Sequence, residues 1–455
     1  MGKTFIRGKQ VITVDSKDTI LNDGLVVVED DKILEVGAYA DLKPKYQDVP
    51  GEWVEFPNGV ILPGLVCSHT HMDQSLMRGI GCHLPMEQWV TNVVYRMHSK
   101  MGRQENYDAA RLNMLEMIST GTTCFADSHF VNHFKDGVDG VADAMIEMGM
   151  RGYLSRGTID LHPYPGVPDS IIESVDFVEK EAVRCIETYH NTQNGRIRVS
   201  VCVTDCSLDM MKMLYGLAET YDTMFQIHAV ETYPEFCTVK GQYGCGEIEF
   251  LDRNGMLSER TLLIHSIWIT PKEKVLIAQR KANVNHNPAG NMLLGDGTAP
   301  IPDLVAMGVN VGLGVDGAST NNSQDMIETM KLGALLHRNS TLNAGIFTAY
   351  DMIKMATIGS ARAIGWADEI GSLEVGKKAD LIVVSTDSPA MTPSLANINN
   401  LVFSGCGRDV DTVMIDGRFV MKNRKMLFVD EKEILTRATQ TAQRVAEETG
   451  VLHLI

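Results

Sequence analysis

Short apolar runs separated by segments of helical periodicity recur eight times in this chain, and that alternation limits the fold more than any other feature. The runs are residues 60–62, 122–125, 152–154, 197–203, 225–227, 261–264, 283–285 and 310–314. Short strands alternating with helices read as parallel βαβ units. Eight such units predict a (β/α)8 TIM barrel, which a chain of 455 residues accommodates together with appendages. The alternative is an open doubly wound sheet. Such a sheet commonly carries a glycine-rich dinucleotide fingerprint after its first strand, and none follows residues 60–62.

The two ends of the chain obey a different grammar. Residues 5–14 and 25–36 carry a β-branched pattern, with turn signals at Asn22-Asp23-Gly24 and Glu29-Asp30-Asp31-Lys32. Residues 379–384 and 412–421 repeat it, the second run folding back at Asp416-Gly417. The ends are expected to pair into one small β-domain made of residues 1–58 and 368–430. The barrel then occupies 59–367, and a C-terminal helix at 431–455 packs on the body.

Composition narrows the class of partner. The formal net charge of −17 argues against nucleic acid or an anionic membrane, which call for clustered Lys and Arg. Nine scattered cysteines, an odd number without a C-x-x-C pair, fit a reducing compartment better than a disulfide framework. No apolar run reaches membrane-spanning length, and the N-terminal residues lack a signal-peptide core, so a cytoplasmic protein is expected.

Chemistry gathers at the strand ends. His69-Thr70-His71 places two imidazoles on one side of an extended segment, within reach of one ion. His228, His265, His286 and Asp316 each stand just after a different apolar run. In a barrel those positions share the C-terminal face, where active sites are built. One histidine of this kind is usually a satisfied loop residue; several at independent strand ends make a metal site. Imidazoles with a carboxylate suit zinc, or iron(II) as the alternative, and such an ion lowers the pKa of a bound water. Glu231, three residues past His228, is placed to deliver a proton to a substrate.

Together these landmarks resemble the amidohydrolase superfamily. The resemblance runs from Leu62-Pro63-Gly64 through His69-Thr70-His71, His228-Ala229-Val230-Glu231, His286-Asn287-Pro288 and Gly314-Val315-Asp316-Gly317-Ala318-Ser319. It continues to Gly371-Ser372-Leu373-Glu374-Val375-Gly376, which looks like the return into a composite β-sandwich. Within the superfamily the chain looks like the branch of s-triazine hydrolases, methylthioadenosine/S-adenosylhomocysteine deaminases and cytosine or guanine deaminases. The resemblance implies one divalent metal ion held by His69, His71, His228 and Asp316. It implies His265 as the residue that orients the attacking water, Asp316 also as its base, and Glu231 as the proton shuttle. Binuclear relatives place a lysine at the end of the fourth strand; residues 197–203 here end in Thr204-Asp205-Cys206, which implies a one-metal site.

Around the metal the pattern departs from the thioadenosine deaminases. Nine residues after Trp89, where they carry a ribose-binding glutamate, this chain has His98. Thr204 replaces a histidine, Arg156 matches one substrate arginine, and a second arginine has no counterpart. Trp89, His98, Arg156, Thr204, His286 and Ser319 are the candidate substrate contacts, with residues 291–297 as a lining segment. The expectation is hydrolytic deamination of an amino-substituted planar heterocycle of s-triazine, pterin or nucleobase type. The alternatives are a methylthioadenosine/S-adenosylhomocysteine deaminase, a triazine chlorohydrolase and a non-catalytic barrel serving as a binding module. A small-molecule heterocycle is the expected partner, and the resemblance suggests a homodimer or larger homo-oligomer.

Overall fold

The chain opens with β1 (Lys3–Ile12), β2 (Ile20–Glu29), β3 (Lys32–Ala38) and β4 (Gly51–Pro63). A second series follows: β5 (Leu65–His71), β6 (Thr122–Asp127), β7 (Arg151–Thr158), β8 (Ile197–Val203), β9 (Phe225–Ala229), β10 (Thr261–His265), β11 (Asn283–His286), β12 (Val311–Leu313) and β13 (Asp316–Gly317). The last strands are β14 (Leu381–Ser385), β15 (Val410–Ile415), β16 (Arg418–Lys422) and β17 (Lys425–Met426). These elements come from a computed structural model that describes residues 2–455.

Two compact units result. One comprises Met1–Cys67, Glu116–Cys124 and Asp325–Val429; the other comprises Ser68–Leu115, Phe125–Gln324 and Asp430–Ile455. Both chain ends build the first unit's sheet, ordered β17-β16-β15-β14-β4-β1-β2-β3. Here β4 is the hinge of the arrangement: it lies parallel to β1 and antiparallel to β14, so a single strand joins N-terminal and C-terminal segments. Ile6, Val26, Ile61, Leu381, Val383 and Met414 share one apolar core there, drawn from both ends of the sequence.

The second series forms a (β/α)8 barrel. Its sheet order is β12-β11-β10-β9-β8-β7-β6-β5-β13, and β5–β13, β7–β8, β8–β9, β9–β10, β10–β11 and β11–β12 pair in parallel. β12 and β13 are two pieces of one stretch, broken at Gly314 and Val315. The first piece pairs with β11 and the second with β5, which closes the cylinder. Part of its interior is polar: Asn285 Nδ2 donates to Ser68 Oγ at 2.7 Å, which donates to the Leu313 carbonyl at 2.9 Å. Helix Glu431–Thr449 of the second unit buries Ile434, Ala438, Val445 and Ala446.

One expected strand is displaced. Residues 60–62 are the end of β4 in the first unit's sheet, and the first barrel strand is β5, which contains His69 and His71. Both stretches are apolar and buried, and such runs carry no period that says which sheet receives them. Gly64, between them, donates its N–H to the Asp380 carbonyl at 3.0 Å. No helix among the described residues is long and apolar enough to cross a membrane.

Candidate metal centre and active-site cavity

Five side chains from four strand ends converge in the second unit. His69 and His71 project from β5, two residues apart and therefore on the same side. His228 comes from β9, His265 from β10 and Asp316 from β13. Asp316 Oδ1 lies 3.4 Å from His69 Nε2 and 3.4 Å from His71 Nε2. The ring centroids of His69 and His228 are 5.0 Å apart, and those of His71 and His228 are 5.3 Å apart.

That spacing fits a metal. Bonds of about 2.0–2.1 Å to a tetrahedral ion separate neighbouring ligand atoms by roughly 3.3–3.4 Å. Ligand atoms of His69, His71 and His228 lie within 4.8 Å of one another, as do those of His69, His265 and Asp316. The far nitrogens are tied in the manner of metal-ligating imidazoles: His71 Nδ1 meets the Ser128 carbonyl at 2.6 Å, and His228 Nδ1 meets Thr204 Oγ1 at 3.0 Å. The Ser128 carbonyl can only accept, so His71 Nδ1 donates to it and Nε2 keeps its lone pair; the Thr204 hydroxyl holds the His228 ring in place. Gly290 is part of the same construction, since a Cβ there would stand 2.5 Å from Asp316 Oδ2.

The strand ends are bent to do this. Asp316 has φ 62°, His265 φ 67° and Val230 φ 50°, all left-handed. A β-branched residue such as Val230 rarely accepts that conformation, so the surroundings must hold it. Glu247 Oε2 accepts the Val230 N–H at 2.8 Å, and Glu235 Oε2 accepts the Glu231 N–H at 2.8 Å. The turn that presents Glu231 is thus gripped by two carboxylates.

Electrostatics divide the groups. Burial drives the His69 imidazole down to about 3 and His228 well below its ordinary value, so both stay neutral and able to ligate. Burial opposes protonation of His71 too, but the hydrogen bond and charge of Asp316 raise it. Asp316 is also buried, yet its bonds to His69 and His71 hold its carboxyl well below the usual range. Glu231 goes the other way: burial first, then the Asp316 charge, push its pKa far up. A carboxyl that keeps its proton beside an ionised one is the arrangement expected of an acid–base pair.

A cavity of about 760 Å³ opens over this group. His71, His228, Glu231, His265 and Asp316 line its floor, and His265 Nε2 is 3.5 Å from Glu231 Oε1. His265 is aimed by Asn291, whose Oδ1 lies 2.8 Å from its Nδ1. Trp89 and Thr204 also line the cavity.

The other candidate substrate contacts are engaged elsewhere, outside the lining. His98 is buried, with Nε2 3.1 Å from Asp73 Oδ2. Arg156 is wholly buried and makes a two-pronged pair with Glu173, at 2.7 and 3.0 Å. His286 is buried at the end of β11, and Ser319 Oγ donates to Gln74 Oε1 at 2.7 Å. Thr204 is committed to His228 as well as lining the pocket. The sequence pointed to neither Asp73 nor His129, and to Asn291 only as part of a lining segment, not as the partner of His265. Asn291 lay in the segment already marked as lining; Asp73 and His129, each two residues from a marked or buried strand-end group, carried no signal apart from their proximity.

A family model for the amidohydrolase family matches residues 60–420. The chain belongs to the amidohydrolase family. It is 34% identical over 430 residues to the 5'-deoxyadenosine deaminase of Methanobrevibacter smithii, covering 93% of this chain and 94% of that one. It is 31% identical to the 5-methylthioadenosine/S-adenosylhomocysteine deaminase of Desulforamulus reducens, covering 98% and 100%. Among solved structures, the atrazine chlorohydrolase of Arthrobacter aurescens TC1 complexed with zinc matches with a TM-score of 0.89 at 25% identity, covering 96% of this amidohydrolase and 100% of that chain.

Proposed function

We propose that this amidohydrolase removes the exocyclic amino group of a planar nitrogen heterocycle of s-triazine, pterin or nucleobase type, using one metal ion held by His69, His71, His228 and Asp316. The chain is a hydrolytic deaminase acting on C–N bonds of cyclic amidines, a class to which its relatives belong. The observation that carries the finer reading is the meeting of the ligand cluster and the Glu231 carboxyl in the lining of one cavity.

A divalent ion in this donor set supplies a Lewis acid that makes water nucleophilic near neutral pH. Asp316 accepts the proton that the water gives up. His265, fixed by Asn291, holds the attacking oxygen against the ring carbon. Glu231 gives its proton to the adjacent ring nitrogen, so that negative charge does not build up on the ring; Asp316 then passes its proton to the amino nitrogen, and ammonia departs as the tetrahedral hydroxyl becomes a carbonyl and returns its proton to Glu231. Trp89 offers an aromatic wall for a planar ring.

A nucleoside substrate is the second reading, favoured by the two relatives that deaminate adenosine derivatives. Against an amino-acid-bearing nucleoside stands the lining itself, in which no Lys or Arg occurs among the described residues to meet a carboxylate. The deciding experiment incubates metal-loaded protein with amino-triazines, pterins, free bases, adenosine derivatives and chlorotriazines. Ammonia and chloride are measured alongside metal content. Ammonia released fastest from a free heterocycle supports the proposal; fastest turnover of a nucleoside replaces it with the second reading, and chloride release with a dechlorinating one.

A further inference from the structure

Asp296 is a buried carboxyl of the cavity to which the mechanism gives no role. It is 7% exposed and lines the cavity. Its main chain is fully used: the N–H donates to the Asn291 carbonyl at 3.0 Å, and the carbonyl accepts the Trp268 indole N–H at 2.8 Å. Because Asn291 also aims His265, the loop carrying Asp296 is tied to the catalytic floor. Its side chain is in hydrogen-bonding contact with the Glu231 carboxyl, and its Oδ2 is buried without a donor.

The two carboxyl groups are neighbours, and burial first, then the Glu231 charge, raises Asp296 to about 9. Whichever carboxyl holds the proton, Asp296 Oδ2 has no donor from the protein. A buried acceptor left in this state is costly unless the incoming molecule supplies an N–H. No Lys or Arg lines the cavity among the described residues, and no protein group donates to this oxygen.

We infer that Asp296 is a specificity-determining residue that accepts a hydrogen bond from an amino group on the carbon flanking the ring nitrogen served by Glu231. The inference rests on the shuttle role proposed for Glu231. The preferred substrates then contain the unit ring-N–C–NH2 beside the scissile position, as in diamino-triazines, 2-aminopteridines and 2,6-diaminopurines. The ring nitrogen and that amino nitrogen are two bonds apart, a spacing which a touching pair of carboxyls can straddle. Adenine and its nucleosides present only a C–H there.

Matched compounds test this: 2,6-diaminopurine against adenine, and 2,4-diamino-1,3,5-triazine against 2-amino-1,3,5-triazine. Binding to the metal-loaded protein is measured by calorimetry, and kcat/KM by ammonia release. The wild type should favour the diamino member by roughly 100-fold or more in kcat/KM, with a preference of the same sign in binding, because a site built for an N–H rejects the analogue lacking it. Asp296→Ser should shrink both preferences at least about tenfold at unchanged metal content, and Asp296→Asn, which keeps an acceptor oxygen, should retain part of them. Equal binding of the pair members, no binding of either pair, or a preference untouched in both variants overturns the inference. If the adenine-type members still release ammonia, the deaminase reading survives that result. A binding preference that follows Asp296 without ammonia release from any compound leaves the inference standing and removes the catalytic reading instead.

Discussion

The barrel contains two buried histidine clusters, and only one of them is built as a metal centre. His69 and His71 turn ring nitrogens towards Asp316, and His228 meets the same two histidines. The outward nitrogens of His71 and His228 are tied to Ser128 and Thr204, and His71, His228 and Asp316 line an open cavity. His98 and His129 lie on either side of Asp73, 3.1 and 3.6 Å from its Oδ2, and none of the three lines the cavity. His69, His71 and Asp316 of the first cluster and all three residues of the second are buried, and both clusters contain an acidic side chain. Convergence of lone pairs, and access from a cavity, separate them. Burial of histidine beside an acid is therefore not evidence for a ligand set until the outer nitrogens are shown to be fixed and the inner ones to meet.

The comparison breaks most readily by removing one histidine from each cluster. His228→Ala should lose the metal and reduce deamination by at least ~10⁴-fold, since water without the ion keeps its ordinary pKa. His129→Asn should bind metal stoichiometrically. Metal analysis on the two purified variants decides it, and a His129→Asn protein devoid of metal would merge the clusters into one functional unit. Next in size is Glu231→Gln, which should retain the metal and lose about 10²–10⁴-fold in kcat, the usual worth of a positioned proton donor. Loss of metal in that variant would make Glu231 a structural support of the centre.

The sequence made the first cluster legible and the second invisible for one physical reason. A side chain at a barrel strand's C-terminal end has its destination fixed by topology, so His69, His71, His228, His265 and Asp316 could be assembled on paper. His98 belongs to the helical segment after Trp89, where the direction of a side chain depends on packing. Its segment Val90–Val94 is wound as a π-helix, which turns the residues that follow relative to an α-helical projection. Arg156 shows the same limit from another side, because nothing in Ser155-Arg156-Gly157 announces a partner at Glu173, seventeen residues on. The barrel as a class was readable from eight alternations. The assignment of residues 60–62 to the wrong sheet was not avoidable by pattern, since β4 and β5 are both apolar and separated by a single residue.

A finer test asks whether the tie to the outer nitrogen matters as much as the comparison implies. Thr204→Val removes the hydroxyl next to His228 Nδ1 while keeping its volume and branching. Metal affinity should fall about 10–100-fold, with a smaller change in kcat once the site is saturated. Competition with a chromophoric chelator measures it. Unchanged affinity would show that packing alone holds the His228 ring.

The smallest effect concerns the charge state of the closed cluster. Burial drives His129 down from its ordinary value to about 4, the Asp73 charge only partly opposing it. An unfolded chain takes up a proton on this imidazole near pH 6.5, whereas the folded one refuses it until about pH 4. The unfolded state therefore binds more protons in that window, and stability must rise with pH across it. The contribution is fully present above about pH 6.5 and lost as the pH falls towards 4. In metal-free protein, where the titration of ligands on metal release does not intervene, wild type should lose about 1 kcal/mol relative to His129→Asn between pH 7 and pH 5.5. Urea midpoints at the two pH values give the difference directly. A relative gain by wild type on acidification would mean that His129 is protonated and paired with Asp73, instead of standing beside it as a neutral, desolvated imidazole.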